Sequence, residues 1–275
     1  MTANDRSALE TALRHDRIVV VAALTVLVAL AWRYLLWLAA DMDMGGMDMS
    51  DFRMIPAGVG ILAPAIAPWS GMEFGFVFAM WAVMMVGMMT PSAAPMILIY
   101  ARVGRQAAIA NRPFAATGWF AAGYLLAWIS FALIATAAQW ALDRAALLDS
   151  MMASTSNMLG GLVLIVAGVY QWTTLKDICL AKCQSPFLFI QQQGGFRGDL
   201  GGSILLGLRH GAYCIGCCWA LMLLLFVGGV MNVLWIAGLA LFILLEKLTP
   251  IGRSIARVAG VVLVLLGGWL LLARS

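Results

Sequence analysis

The chain has 275 residues, of which 63% are hydrophobic and 11% charged, with a formal net charge of +4. A soluble domain is closer to half apolar and about a quarter charged, so this composition excludes an ordinary soluble protein of this length. The basic residues stand singly between apolar segments, which argues against nucleic-acid binding. We predict an all-α, polytopic transmembrane bundle of about seven spans, without a sizeable soluble domain and with the lipid bilayer as its surroundings.

The apolar segments divide the chain into four parts. Residues 1–17 form a polar N-terminal arm, and residues 18–40 form the first transmembrane helix. That helix is either an uncleaved anchor or a signal peptide, and we favour the anchor because no clean A-x-A cleavage site precedes Asp41. Residues 41–71 form a Met/Asp-rich loop, and residues 72–275 form a six-span core. The core spans are 72–101, 114–141, 157–175, 203–227, 231–246 and 254–273.

The distribution of lysine and arginine sets the orientation of these spans. Basic residues concentrate on the cytoplasmic side of membrane proteins. If the N-terminus lies inside, thirteen of the 17 lysine and arginine residues fall in inner segments. Three fall in outer segments (Arg53, Arg144 and Arg274), and Arg33 lies within a span. We therefore expect a multi-pass protein of a bacterial inner (cytoplasmic) membrane, with its N-terminal arm in the cytoplasm and the 41–71 loop extracytoplasmic.

The stretch DMDMGGMDM at 41–49 alternates methionines with aspartates. Thioether sulfurs are soft ligands that select cuprous copper or silver, and carboxylates add a field that attracts cations. We interpret the stretch as an outer capture loop, with the alternative that its methionines dip into the membrane interface. The residues of this loop are Asp41, Met42, Asp43, Met44, Met47, Asp48 and Met49.

The second span carries a set of methionines at helical spacing. Such a stripe is often only core filler, because methionine packs adaptably. This stripe, however, starts below the outer loop and runs toward the inner half, so we predict a secondary metal relay. Pro91 and Pro95 follow it and predict a break or kink, since each removes an amide donor. The relay residues are Met80, Met84, Met85, Met88 and Met89.

Cysteines gather in and before the fifth span. In RHGAYCIGCCWALM, residues 209–222, one histidine and three cysteines fall within about 100° of a helical face. Two further cysteines lie four residues apart in the connection from 176 to 200, which we expect to be a loop returning to this span. Thiolates and imidazoles suit copper(I), zinc or an iron–sulfur cluster. The predicted metal ligands are Cys179, Cys183, His210, Cys214, Cys217 and Cys218.

Other interpretations of these cysteines remain open. Packing alone explains a single buried cysteine, but explains three within five residues less well. Cys214 and Cys217 also form a C-x-x-C pair, which leaves a membrane thiol–disulfide electron-transfer protein as an alternative. An assembly or interaction subunit with a structural zinc site is a further one. No ATP-binding loop, HExxH motif or Ser/His/Asp arrangement identifies an enzyme.

Two ionisable residues, Glu246 and Lys247, close the sixth predicted span. An ionisable side chain inside a span is a functional candidate by default. Their position near the inner boundary also fits a plain interfacial pair, and both interpretations stay open.

Four stretches together resemble a bacterial family of predicted metal-binding integral membrane proteins, a domain of unknown function. They are MWAVMMVGMMTPSAAPMILIYARV (80–103), LKDICLAKC (175–183), GLRHGAYCIGCCWALM (207–222) and LEKLTP (245–250). The resemblance covers roughly residues 70–270 and implies a multi-span inner-membrane protein with a metal site. Besides the predicted ligands and Met84, Met85, Met88 and Met89, it carries over Thr90, Pro91, Pro95, Lys176, Glu246, Lys247 and Pro250.

We therefore expect a protein that binds and handles or transports a transition-metal ion in the inner membrane. Copper(I) is the favoured ion, and zinc is the alternative. The outer loop would gather the ion, the methionines would relay it, and the thiols would receive it. A periplasmic metal carrier and a membrane partner enzyme are the expected protein partners.

Overall fold

The computed structural model of the protein describes residues 3–42, 52–58, 61–64, 67–110, 117–148, 152–154, 156–196 and 198–273. Within these ranges the chain forms ten α-helices and one short antiparallel pair of strands, so the all-helical character is confirmed. The helices are α1 (Ala3–Met42), α2 (Gly71–Ile109), α3 (Thr117–Arg144), α4 (Asn157–Tyr170), α5 (Thr174–Gln184), α6 (Pro186–Gln192), α7 (Leu200–Met222), α8 (Leu225–Gly228), α9 (Val233–Leu248) and α10 (Gly252–Leu272). The strands are β1 (Phe52–Met54) and β2 (Leu62–Pro64), in which Arg53 is paired with Ala63.

Five described stretches are long and apolar enough to cross a membrane. They are Arg17–Asp41, Gly71–Ala107, Thr117–Arg144, Leu200–Gly228 and Gly252–Leu272. A sixth exists if α4 and α5, which meet at 65°, form one broken span. α9 has 16 residues, and at about 1.5 Å per residue it is shorter than a hydrocarbon core of about 30 Å. The count of about seven spans therefore stays a prediction.

α1 is a single helix that passes through the boundary expected at residue 17 between the arm and the first span. It packs against α2 and buries Leu35 and Leu38 there, because these apolar side chains recur on one helical face. Asp41 and Met42 form its last turn. The rest of the predicted capture loop, Asp43 to Met49, lies outside the described residues.

α2 continues as one helix through Pro91 and Pro95, where the sequence predicted a break or kink. In apolar surroundings neighbouring groups can replace the backbone contacts that a proline removes, so the helix need not end. Near these prolines, the hydroxyl groups of Ser92 and Tyr124 both donate to the Met89 carbonyl oxygen, at 2.9 Å and 3.0 Å.

The segment from 176 to 200 is mostly helical, whereas the sequence predicted a loop. α4 ends at Tyr170, and the chain turns before the Thr173 side chain accepts a hydrogen bond from the Lys176 amide at the start of α5. Such a cap satisfies an amide that has no partner inside the helix. α5 and α6 lead back to α7, whose first turn is capped in the same way by Asp199. This local sequence places two cysteines on a short helix instead of a loop.

Glycines allow close approach between the helices that hold the core. Gly161 and Gly168 of α4 face Gly267 and Gly260 of α10. A Cβ atom added at Gly267 would lie 2.7 Å from the Gly161 carbonyl oxygen. α3 and α7 also meet at glycines, which fixes the position of the helix that carries three of the cysteines.

Replacing Gly267 with alanine should destabilise the protein, because the new methyl group meets the α4 backbone. Overpacking of this kind typically costs about 1–3 kcal/mol. The adjacent Gly268, which has nothing within 4 Å of an added Cβ atom, provides the matched control Gly268→Ala. Thermal unfolding of detergent-solubilised variants should show a lower midpoint for Gly267→Ala alone. Equal midpoints for the two variants would contradict this packing.

Candidate metal centre

Two thiols from separate segments of the chain lie side by side. The sulfur of Cys183 on α5 is 3.9 Å from the sulfur of Cys217 on α7. Disulfide sulfurs are about 2.05 Å apart, so these are two free thiols. Two opposed metal–sulfur bonds of about 2.3 Å can span up to about 4.6 Å. A single soft ion therefore fits between these two sulfurs.

Cys179 lies in the same contact between α5 and α7, one turn before Cys183. Its side chain is buried, and a Cβ atom at Gly216 would lie 2.7 Å from its sulfur. The missing side chain at Gly216 thus leaves the space that the thiol occupies. The Tyr170 hydroxyl donates to the Gly216 carbonyl oxygen, which ties the end of α4 to the same turn of α7.

A second group of sulfurs surrounds the ammonium nitrogen of Lys247, near the end of α9. Lys247 donates to the Cys214 sulfur at 2.8 Å, and its nitrogen lies 3.9 Å from the Cys218 sulfur and 4.0 Å from the Met89 sulfur. The Ser92 hydroxyl oxygen lies 3.4 Å from the same nitrogen. The thiols of Cys217 and Cys218 both donate to the Cys214 carbonyl oxygen, so the two sulfur groups occupy adjacent turns of α7.

A buried ion pair joins the helices on either side of these sulfurs. Lys176 on α5 and Glu246 on α9 form a 2.5 Å salt bridge, and both side chains are almost fully buried. The amide nitrogen of Gln184 also donates to the Glu246 and Thr249 carbonyl oxygens. Opposite charges in such a pair cancel, so it holds α5 against α9 without adding net charge to the site.

Tyr124 and His210 lie beside the thiols without joining the sulfur pairs. The Tyr124 hydroxyl is 3.2 Å from the Cys214 sulfur. The His210 ring, one helical turn before Cys214, packs against the rings of Phe120, Tyr124 and Phe189, with centroids 5.2–6.1 Å apart. Its Nδ1 atom is buried and has no hydrogen-bond partner in the part of the chain that the structure describes.

All five methionines of the predicted relay are buried along α2. Met80, Met84, Met85 and Met89 are fully buried, and Met88 is 2% exposed. Met89 alone among these five has a described contact with the Lys247 ammonium group, at the inner end of the row. The other four pack within the core, as expected both for methionines that only fill space and for methionines that pass on a metal ion. The relay therefore stays a prediction.

The described contacts place Cys183 next to Cys217, and place Cys214, Cys218 and Met89 around Lys247. Among the described residues, no group of three or more His, Cys, Asp and Glu side chains is arranged to hold a metal ion. His210 packs among aromatic rings, and Lys247 contacts Cys214 and Cys218. The single pocket of six ligands stays a prediction. Structural zinc is almost always held by four ligands, whereas thiolates and thioethers select copper(I). The ligand assignment and the identity of the metal stay predictions.

Several residues at this site were not assigned to it from the sequence. Lys247, Glu246 and Lys176 carried part of the family resemblance, but their charges gave no sign that they meet the thiols. Tyr124 and Ser92 gave no signal at all, since a tyrosine or serine in an apolar helix is ordinary. Only the packing of α2, α3, α5 and α9 around α7 identifies them.

These features define a bundle of long apolar helices in which cysteine and methionine side chains gather where α2, α5, α7 and α9 meet. The family model PpoB2, described as a copper chaperone, matches residues 78–270, which include the relay methionines and all five cysteines. Because this match covers most of the chain, the protein belongs to the PpoB2 copper chaperone family. The metal-related part of the expected resemblance is thereby confirmed. No curated protein and no solved structure matches the chain.

Removing one partner of the Lys176–Glu246 pair should strongly destabilise the protein. Lys176→Met or Glu246→Leu leaves a buried charge without its partner, which typically costs about 3–5 kcal/mol. The double variant removes both charges and should recover most of that loss. The stability of all three variants is compared by their thermal unfolding midpoints in detergent.

The exposed pair of Arg257 and Asp177 is the matched control for this experiment. Its atoms are 3.4 Å apart and the Arg257 side chain is 62% exposed, so Asp177→Asn should change stability by less than about 1 kcal/mol. If the double Lys176/Glu246 variant lost as much stability as the two single variants combined, the two residues would not interact, and this would contradict the ion pair.

Proposed function

We propose that this protein binds copper(I) at thiols from two of its helices within the bacterial inner membrane and passes the ion to a partner. The observation that carries the proposal is the 3.9 Å approach of the Cys183 and Cys217 sulfurs, which come from two helices. Such a pair can be bridged by one ion without backbone movement. The copper chaperone family and the sulfur-only character of the pair support copper as that ion.

The membrane location rests on composition and charge. Five long apolar helices provide the spans, and the excess of lysine and arginine in the inner segments orients the N-terminus toward the cytoplasm. In this orientation the thiols lie toward the cytoplasmic side, where they stay reduced. Reduced thiols are the form that binds copper(I).

The path of the ion follows from the order of soft ligands. The Met/Asp loop at 41–49 would take copper from a periplasmic carrier, and the α2 methionines would lead it inward. Thioethers bind weakly and so do not trap the ion, whereas thiolates hold it more firmly. The thiol pair is then the last station before release to the cytoplasm or to a membrane partner enzyme.

The same sulfur distance favours a second candidate, a thiol–disulfide carrier. Two thiols at 3.9 Å need only a modest approach to form a disulfide bond. That function predicts a Cys183–Cys217 disulfide in cells that appears whatever the copper supply. Alkylation of free thiols followed by mass measurement distinguishes it from copper binding.

Replacing Cys183 or Cys217 with serine should abolish stoichiometric copper binding, because a hydroxyl group is a poor ligand for a soft ion. Copper per chain is measured on protein extracted with detergent from membranes of copper-supplemented cells. We expect about one copper in the wild type and a loss of at least tenfold in either variant, since one remaining sulfur cannot bridge the ion.

Met158→Leu is the control for this measurement, because Met158 is 65% exposed on α4 and remote from the thiols. It should keep the wild-type copper content. Equal copper in the wild type and both cysteine variants would refute the copper site. Recovery of the protein in the soluble fraction would refute the membrane location.

A further inference from the structure

A lysine ammonium group occupies the middle of the sulfur cluster, where a cation would be expected. Lys247 is 3% exposed, and its nitrogen has sulfur atoms of Cys214, Cys218 and Met89 within 4.0 Å. A lysine is rarely buried, because taking its charge out of water costs free energy unless an opposite charge compensates it. Its presence among the thiols therefore calls for a functional reason.

Charge balance supplies that reason. Lys176 and Glu246 cancel each other, so among the described charges at the thiols Lys247 is left to be balanced by sulfur. A buried charge is stable only when an opposite charge compensates it. The sulfurs around the ammonium group, of which the Cys214 sulfur accepts its hydrogen bond at 2.8 Å, supply this compensation when no metal is bound.

Bound metal changes this balance in a way that depends on the charge of the ion. When the Cys183 and Cys217 thiolates hold a monovalent ion and the other thiols keep their protons, the complex has a charge of −1, which the ammonium group neutralises. A divalent ion held by the same two thiolates forms a neutral complex, which leaves the ammonium group buried and uncompensated. The cost of an uncompensated buried charge falls on the divalent ion alone.

We propose that Lys247 is a specificity-determining residue that makes this site selective for a monovalent soft cation over a divalent one. This inference rests on the proposed copper function and deepens it. The ammonium group contacts Cys214 and Cys218 on α7, and the thiol of Cys217, next to Cys218 in the chain, donates to the Cys214 carbonyl oxygen. Ser92, at 3.4 Å, gives the ammonium group an alternative hydrogen-bond acceptor when the ion occupies the sulfurs.

The test compares affinities for Cu(I) and Zn(II) in detergent-solubilised full-length protein, each measured by competition with a chromogenic chelator. Lys247→Met keeps the length of the side chain and removes its charge. It should reduce the preference for Cu(I) over Zn(II) at least tenfold, by weakening Cu(I) and strengthening Zn(II). Lys247→Arg keeps the charge and should stay within threefold of the wild-type preference.

Ser92 provides an independent variant in which Lys247 stays in place. Ser92→Asp puts a carboxylate next to the ammonium group and cancels its charge, so it should reduce the preference as Lys247→Met does. Ser92→Asn has the same size without the charge and should keep the preference. This pair tests the proposal even where Lys247→Met fails to fold, and gel filtration shows which variants are intact.

The outcomes separate this inference from the proposed function. A wild type whose Cu(I) binding does not depend on Cys183 and Cys217 overturns both. A wild type that binds Cu(I) through these thiols, with the same metal preference in Lys247→Met and Ser92→Asp, overturns only the role of Lys247. Reduced preference in the charge-cancelling variants, with Lys247→Arg and Ser92→Asn unchanged, supports it.

Discussion

An ammonium group buried in an apolar bundle has to be paired with a negative charge, and this requirement shapes the centre of the protein. Lys247 meets the sulfurs of Cys214 and Cys218 because other anions near the site are engaged elsewhere, Glu246 with Lys176. A sulfur that carries negative charge is a better ligand for a soft metal ion than a neutral thiol. The charged residues and the thiols therefore act as one unit, and neither set would be stable in this core without the other.

The fold brings this unit together from four directions. α7 carries Cys214, Cys217 and Cys218 at the centre, and close glycine contacts fix it against α3. The bend after α4 turns α5 toward α7, so that Cys183 reaches Cys217 from a separate segment. α2 adds Met89 from the side of the methionine row, and α9 adds Lys247. The assembly of the Cys183 and Cys217 pair from two helices suits the proposed release of an ion, because a small shift of one helix would open the pair.

Part of the fold and part of the candidate site could be predicted from the sequence. The apolar composition predicted an all-helical chain, and the spacing of Cys214, Cys217 and Cys218 predicted their common face, since both depend only on local periodicity. The helix that carries Cys179 and Cys183 was expected as a loop, because its capping by Thr173 is a weak signal in a polar segment. The continuity of α2 through Pro91 and Pro95 and the meeting of Lys247 with the thiols depend on tertiary packing, which no local pattern encodes. The convergence of two cysteine segments was expected, but the contact of Lys247 with Cys214 and Cys218 was not.

The central claim is that two sulfurs from different helices hold a copper(I) ion next to Lys247. X-ray absorption at the copper edge of the copper-loaded, detergent-solubilised protein tests it most directly. We expect the edge of copper(I) and a first shell of two sulfur atoms, or three when Met89 joins, without a nitrogen or oxygen shell. A shell of four ligands, or one dominated by nitrogen or oxygen, would contradict the account.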